Sequence, residues 1–210
     1  MLVTDIVDVT KTRSRVFIDG SFAFVLYKGE LRKYHIEKDK TIAETDYSEL
    51  TQKVLPKRAK LRSMNLLQSR EYTEKQLKDK LLQGGYPESI AQEAIDYVKS
   101  YHYIDDDRYA ASYIEYHAEG KSRQRIVQDL MRKGISKECI ERQWQKVEEL
   151  GVFVNEEKMI FEILEKKNYV DEQADMKTRQ KMYAFLLRKG FSSEKIRKVM
   201  NAEGYAEGYF

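Results

Sequence analysis

The 210 residues include one cysteine, two prolines, three histidines and one tryptophan. A lone thiol, Cys139, excludes an internal disulfide, and its place at an apolar position of a helical pattern suits a reducing compartment. No apolar run is long enough to span a bilayer, and the N-terminus MLVTDIVDVTKTR lacks the basic-then-apolar order of a secretory signal. A cytoplasmic protein without a membrane anchor is expected. His35, His102 and His117 are scattered singly and Cys139 has no histidine close in the chain, so nothing resembles a nucleophile with its base. With 41% hydrophobic and 35% charged residues the chain buries a core but is too charged for one thick globule, which favours an elongated array of small helical modules.

What is abundant is internal repetition. Residues 121–140, KSRQRIVQDLMRKGISKECI, recur in altered form upstream as residues 72–91, YTEKQLKDKLLQGGYPESIA, and downstream as residues 177–196, KTRQKMYAFLLRKGFSSEKI. In register, Thr73, Ser122 and Thr178 coincide, then Leu77, Ile126 and Met182, then Leu81, Leu130 and Leu186, then Gly85, Gly134 and Gly190. A hydroxyl that can N-cap, apolar residues four apart and a glycine able to adopt a left-handed conformation describe one helix from start to stop. An apolar residue follows each glycine, Tyr86, Ile135 or Phe191, and then Pro87, Ser136 or Ser192, which suits the start of a second helix.

Taken in order, residues 1–45 read as a small β-hairpin unit. Residues 15–18 and 22–26 are β-branched and aromatic runs joined by Asp19-Gly20-Ser21, and residues 28–34 suggest a brief helix packing Leu31 and Tyr34 on the hairpin. Residues 46–56 read as a connecting helix capped by Asp46, with Pro56 breaking the pattern and opening the next helix. Three tandem three-helix repeats follow over 57–103, 104–150 and 151–200, with helices expected at 57–68, 73–83 and 87–101, then 105–118, 122–133 and 136–150, then 155–167, 178–189 and 192–200. The repeat interval grows from 49 to 56 residues before the third copy, which points to an insertion at 168–176, and the final residues 201–210 lack a pattern and are expected to form a flexible tail. The fold class expected is mainly α.

Apparent sites have simpler readings. In YHYIDDDRYA the acids suit a helix cap at Asp105 or Asp106 and a first turn, as Asn155 with Glu156 and Glu157 does in the next module. Gly120-Lys121-Ser122 resembles the end of a phosphate-binding loop, but Glu115 stands where that motif needs a glycine. Tyr109, Tyr113 and Tyr116 fall at helical spacing and read as packing residues, and Trp144, in register with Ile95 and Met200, reads as core.

The net charge of +3 conceals alternation that follows the repeat. Residues 57–82 carry eight basic against three acidic side chains, 120–137 six against one, and 177–198 eight against one, whereas 83–119 carry two against eight and 141–175 five against ten. Stacked regularly, the basic helices would present an extended positive surface suited to a polyanion or an acidic groove.

The runs RAKLRSMNLLQSREYTEKQLKDKL, YIDDDRYAASYI and KSRQRIVQDLMRKGI together resemble the RecX family, bacterial regulators of the recombinase RecA, over about residues 57–200. The resemblance implies three tandem three-helix modules. It also implies lodging in the helical groove of a RecA filament on single-stranded DNA, lowering strand exchange and ATP hydrolysis, with no catalytic residue and no cofactor. The RecA nucleoprotein filament is then the expected partner of a monomer, with single-stranded or duplex DNA as a further one. Contacts are expected from Lys121, Arg123 and Arg125 of the second module and Lys177, Arg179 and Lys181 of the third. Arg132, Lys133, Arg188 and Lys189 join them, although basic residues in a last helical turn also serve the helix dipole. Reversing Arg123 and Arg125 to Glu is expected to spare helicity and weaken filament binding. The rival reading is a helix-turn-helix protein that binds duplex DNA by itself; an enzyme would need a convergent polar pocket that the sequence does not show.

Overall fold

The computed structural model describes residues 1–171 and 174–201, so the expected tail from 202 onward lies outside the described residues. The chain divides into two compact units, Met1–Asp105 and Asp106–Phe210.

The first unit opens with an antiparallel sheet of order β1-β2-β3, formed by β1 (Val3–Asp8), β2 (Arg13–Ile18) and β3 (Ser21–Tyr27). The hairpin turn falls at Asp19-Gly20, whose φ angles of 48° and 82° give the type I′ geometry that matches strand twist. Alternation in β2 and a bulged β3 turn Val16, Phe24 and Leu26 into the core. There they join α1 (Lys28–Lys33), with Leu31 and Tyr34 packed as expected, and α4 (Glu74–Gln83) and α5 (Glu88–Ser100) through Leu77, Leu81, Ala91 and Ile95.

The helix expected to stop at Pro56 does not stop. The chain runs from α2 (Glu44–Glu49) through a π-turn at Leu50–Val54 directly into α3 (Leu55–Ser69). Proline lacks an N–H and its ring crowds the carbonyl four residues back; the wider turn, in which Leu55 N–H reaches Leu50 O, makes room for it. Asp46 lies in the first turn of α2 and Ala43 holds the N-cap position.

The second unit contains α6 (Asp106–His117), α7 (Arg123–Arg132) and α8 (Lys137–Glu149), then α9 (Glu156–Lys166), α10 (Met176–Arg188) and α11 (Ser193–Met200). Each triplet closes its own core, the first around Ile114, Ile126, Leu130, Ile140 and Trp144, the second around Ile160, Leu186, Phe191 and Ile196, with Val154 touching both. The repeat glycines all take positive φ, 84° at Gly85, 95° at Gly134 and 89° at Gly190. In each copy the next N–H, from Tyr86, Ile135 or Phe191, reaches back to the carbonyl of Leu81, Leu130 or Leu186, closing a Schellman motif. Thr73 and Ser122 cap their helices, accepting from Gln76 N and Arg125 N. In the third copy Asp175 is the cap, accepting from Thr178 N, so α10 begins a little earlier than the Thr178 start expected.

Candidate functional site

The only acid of the second basic block organises it. Asp129 on α7 has a side chain 10% exposed, with Lys121 Nζ at 2.9 Å and Tyr113 Oη at 3.1 Å from Oδ2. Arg132 pairs with Oδ1 and Arg125 Nε lies 3.4 Å from the same oxygen. Burial alone would push this carboxyl up; hydrogen bonds from Lys121 and Arg132 outweigh it and hold it at about 2. Lys133 covers the Tyr109 and Tyr113 rings, each 5.4 Å away.

Arg123, at the start of α7, is also engaged within the fold. Its guanidinium lies over Trp144, 4.6 Å from the ring, with Glu141 at 3.1 Å and Glu148 at 3.3 Å. A Glu at 123 would face these two carboxylates, so charge reversal there alters the fold's own pairing as well as the surface.

The second and third modules are joined at the same helix start. The Ser122 hydroxyl accepts from Arg125 N and donates to Lys189 O at 2.8 Å, tying the first turn of α7 to the end of α10. A β-carbon at Gly190 would lie 2.6 Å from that hydroxyl, so the glycine is needed for the close approach as well as for its φ. Glu156, buried at the start of α9, accepts from Arg123 N at 2.8 Å and from Lys195 Nζ at 2.8 Å. Sequence reasoning read Glu156 only as a helix-start acid, because its partners come from α7 and α11.

Beside this joint lies a groove of about 560 Å³ bordered by Lys121, Arg125, Lys166, Arg188 and Lys189, floored by Met159, Ile163 and Phe191, with Glu119 and Glu162 at its edge. Arg188 also borders a shallow cleft along α10 with Lys177 and Lys181. Arg179 faces the other way, paired with Asp171 and 3.4 Å from Asn201 Oδ1. The sequence-derived set thus separates. Lys121, Arg123, Arg132 and Arg179 are held by intramolecular carboxylates. Arg125 borders the groove while leaning on Asp129, Lys189 borders it, Lys181 acts on the Asp175 carboxylate only through its charge, and Lys177 and Arg188 form no ion pair among the described residues. Lys166 was missed because it sits in a stretch whose charge balance is acidic.

Elsewhere the fold absorbs the candidate chemistry. Asp107 binds α6 to α8, accepting from Cys139 Sγ at 2.9 Å and Arg142 at 2.7 Å. Burial and that carboxylate push the Cys139 thiol up to about 12. Tyr116, expected to pack, is 83% exposed, whereas Trp144 is buried. Among the described residues no cluster of His, Cys, Asp and Glu is arranged to hold a metal ion, and no helix is long and apolar enough to cross a membrane.

Comparison with known proteins agrees with this architecture. The family models for the first, second and third three-helix domains of RecX match residues 59–97, 105–142 and 155–200. The chain is 33% identical over 203 residues to regulatory protein RecX of Caldanaerobacter subterraneus subsp. tengcongensis, covering 96% of this chain and 99% of that protein. It is 30% identical over 205 residues to regulatory protein RecX of Clostridium beijerinckii, covering 90% and 91%. In fold it is similar to a crystal structure of regulatory protein RecX, with a TM-score of 0.58 and 22% identity over 96% of this chain and 99% of that one. RecX from Lactobacillus salivarius gives a TM-score of 0.54 at 21% identity, covering 70% and 96%.

Proposed function

The chain belongs to the RecX family of regulatory proteins, and from that membership we propose that it binds the nucleoprotein filament of the recombinase RecA and lowers its ATP hydrolysis and strand exchange. The supporting observation is the groove of the second unit, where cations from α7, α9 and α10 border an apolar floor. Such a surface suits an acidic protein face or a phosphate backbone, and contributions from several protomers of a polymer add through effective concentration. The protein acts by binding, as a monomer, and no bond-making step is assigned to it. Contacts fall to Arg125, Arg188 and Lys189 at the groove with Lys177 and Lys181 along α10, while Lys121, Arg123, Arg132 and Arg179 are engaged by carboxylates of the fold and Lys133 by the Tyr109 and Tyr113 rings.

The test is RecA's DNA-dependent ATPase with added protein. The wild type lowers the rate at stoichiometric amounts, and Arg188→Glu with Lys189→Glu raises the amount needed about tenfold, since two reversed contacts remove on the order of 1–2 kcal/mol. An unchanged ATPase with the wild type, together with tight duplex binding by the protein alone, would favour the helix-turn-helix reading.

A further inference from the structure

A separate cleft of about 470 Å³ opens in the first unit, where β2 and β3 meet α3 and the end of α4. Arg13, Arg58, Arg62 and Lys80 border it with the rings of Tyr27 and Tyr86, and no carboxylate is among its lining residues. Elsewhere in this unit Lys28, Lys38, Lys60, Lys75 and Lys78 each face an acid at 2.7 to 3.1 Å. Arg13, Arg62 and Lys80 have no carboxylate partner among the described residues.

The cleft is built on fixed parts. Arg58 is anchored by Glu30 at 2.7 Å and donates to Val25 O at 2.7 Å, its guanidinium 5.0 Å from the Tyr27 ring and 5.6 Å from that of Tyr86. Burial pushes the Tyr86 phenol up, which keeps its O–H as a donor. The second and third modules carry Lys133 and Lys189 before the helix-closing glycine, but the first carries Gly84, whose missing side chain leaves the cleft open. Gly85 then seats the turn on β3: a β-carbon there would lie 2.1 Å from Val25 Cγ2, and Val25 N–H donates to Gly85 O at 3.1 Å.

We propose that this cleft binds a phosphate group carried by a nucleotide or by a nucleic-acid strand. Converging guanidinium groups match phosphate oxygens, and the half-exposed Tyr27 ring offers a face on which the attached base can stack. A peptide carboxylate would use the charges but leave the rings without a role.

The test uses the full chain without recombinase, so its result is independent of the ATPase measurement. A fluorescent oligothymidylate is titrated by anisotropy against the wild type and the Arg62→Ala/Lys80→Ala variant, whose exposed side chains leave the far-UV circular dichroism unchanged. Binding by the variant is expected to weaken at least tenfold, and its log affinity to fall less steeply with log salt, by about 1 to 1.5, since each single-strand phosphate contact contributes about 0.7. Displacement by millimolar mononucleotide identifies a nucleotide site; displacement only by a longer strand identifies a strand site. In the wild type, 5-iodouracil crosslinks are expected on the peptides carrying Tyr27 or Tyr86. Unchanged affinity and slope, equal displacement by polyglutamate, or crosslinks confined to residues 106–201 would each overturn the proposal.

Discussion

A single carboxylate shows how far a residue's role departs from its place in a charge count. Asp129 stands four residues after Arg125 and three before Arg132, so two of its cations are visible in helical spacing; Lys121 and Tyr113 reach it only because α6 packs on α7. Its carboxyl is depressed to about 2 from an ordinary 3.8, so its stabilisation is fully present above pH 4 and fades as pH falls toward 2. Asp129→Ala is expected to cost about 2 kcal/mol in urea unfolding at pH 7, with the difference from wild type narrowing at pH 2 to 3. Arg123→Glu alone is expected to lower stability by about 1–2 kcal/mol, through the lost Trp144 contact and the facing Glu141 and Glu148. Arg123 is thus a poor probe of any partner. Cys139, buried and hydrogen-bonded to Asp107, is expected to resist alkylation in the native protein and to react on unfolding, checked by thiol titration with and without urea.

Helices and turns were the legible scale, because their starts and stops are written in local chemistry. Hydroxyl, apolar steps and glycine located α4 and α7 and their Schellman closures with no knowledge of tertiary contacts. Two elements departed where a neighbouring residue competed: Asp175 takes the cap from Thr178, and the π-turn carries the helix through Pro56. What the repeat pattern did not disclose is that two of its glycines, Gly85 and Gly190, also set packing distances. Gly85→Ala is expected to cost about 2–4 kcal/mol, combining the positive φ with the clash against Val25. Gly20→Ala, with nothing within 4 Å, is expected to cost only about 1 kcal/mol. Thermal unfolding of the two variants side by side checks the difference. Ser122→Ala removes a cap and the donor to Lys189 O together, and a loss of about 1–3 kcal/mol by urea titration is expected.

Across the molecule, charge counting located the basic blocks but not which charges the fold consumes. In the second unit several bases close on Asp129, Glu141, Glu148 and Asp171, while Arg188 and Lys189 meet Lys166 from an acidic stretch to border the groove. Gathering these groups depends on how the second module seats on the third, which no local pattern encodes. That seat rests in part on the Ser122 hydroxyl, which accepts from its own helix while donating to a neighbour. Asp175, which caps α10, has no proton to give when ionised. In a tandem duplicate of the third module the helix cap at the new junction would therefore lack that donor, and the added bundle is expected to seat less firmly than the third module does on the second.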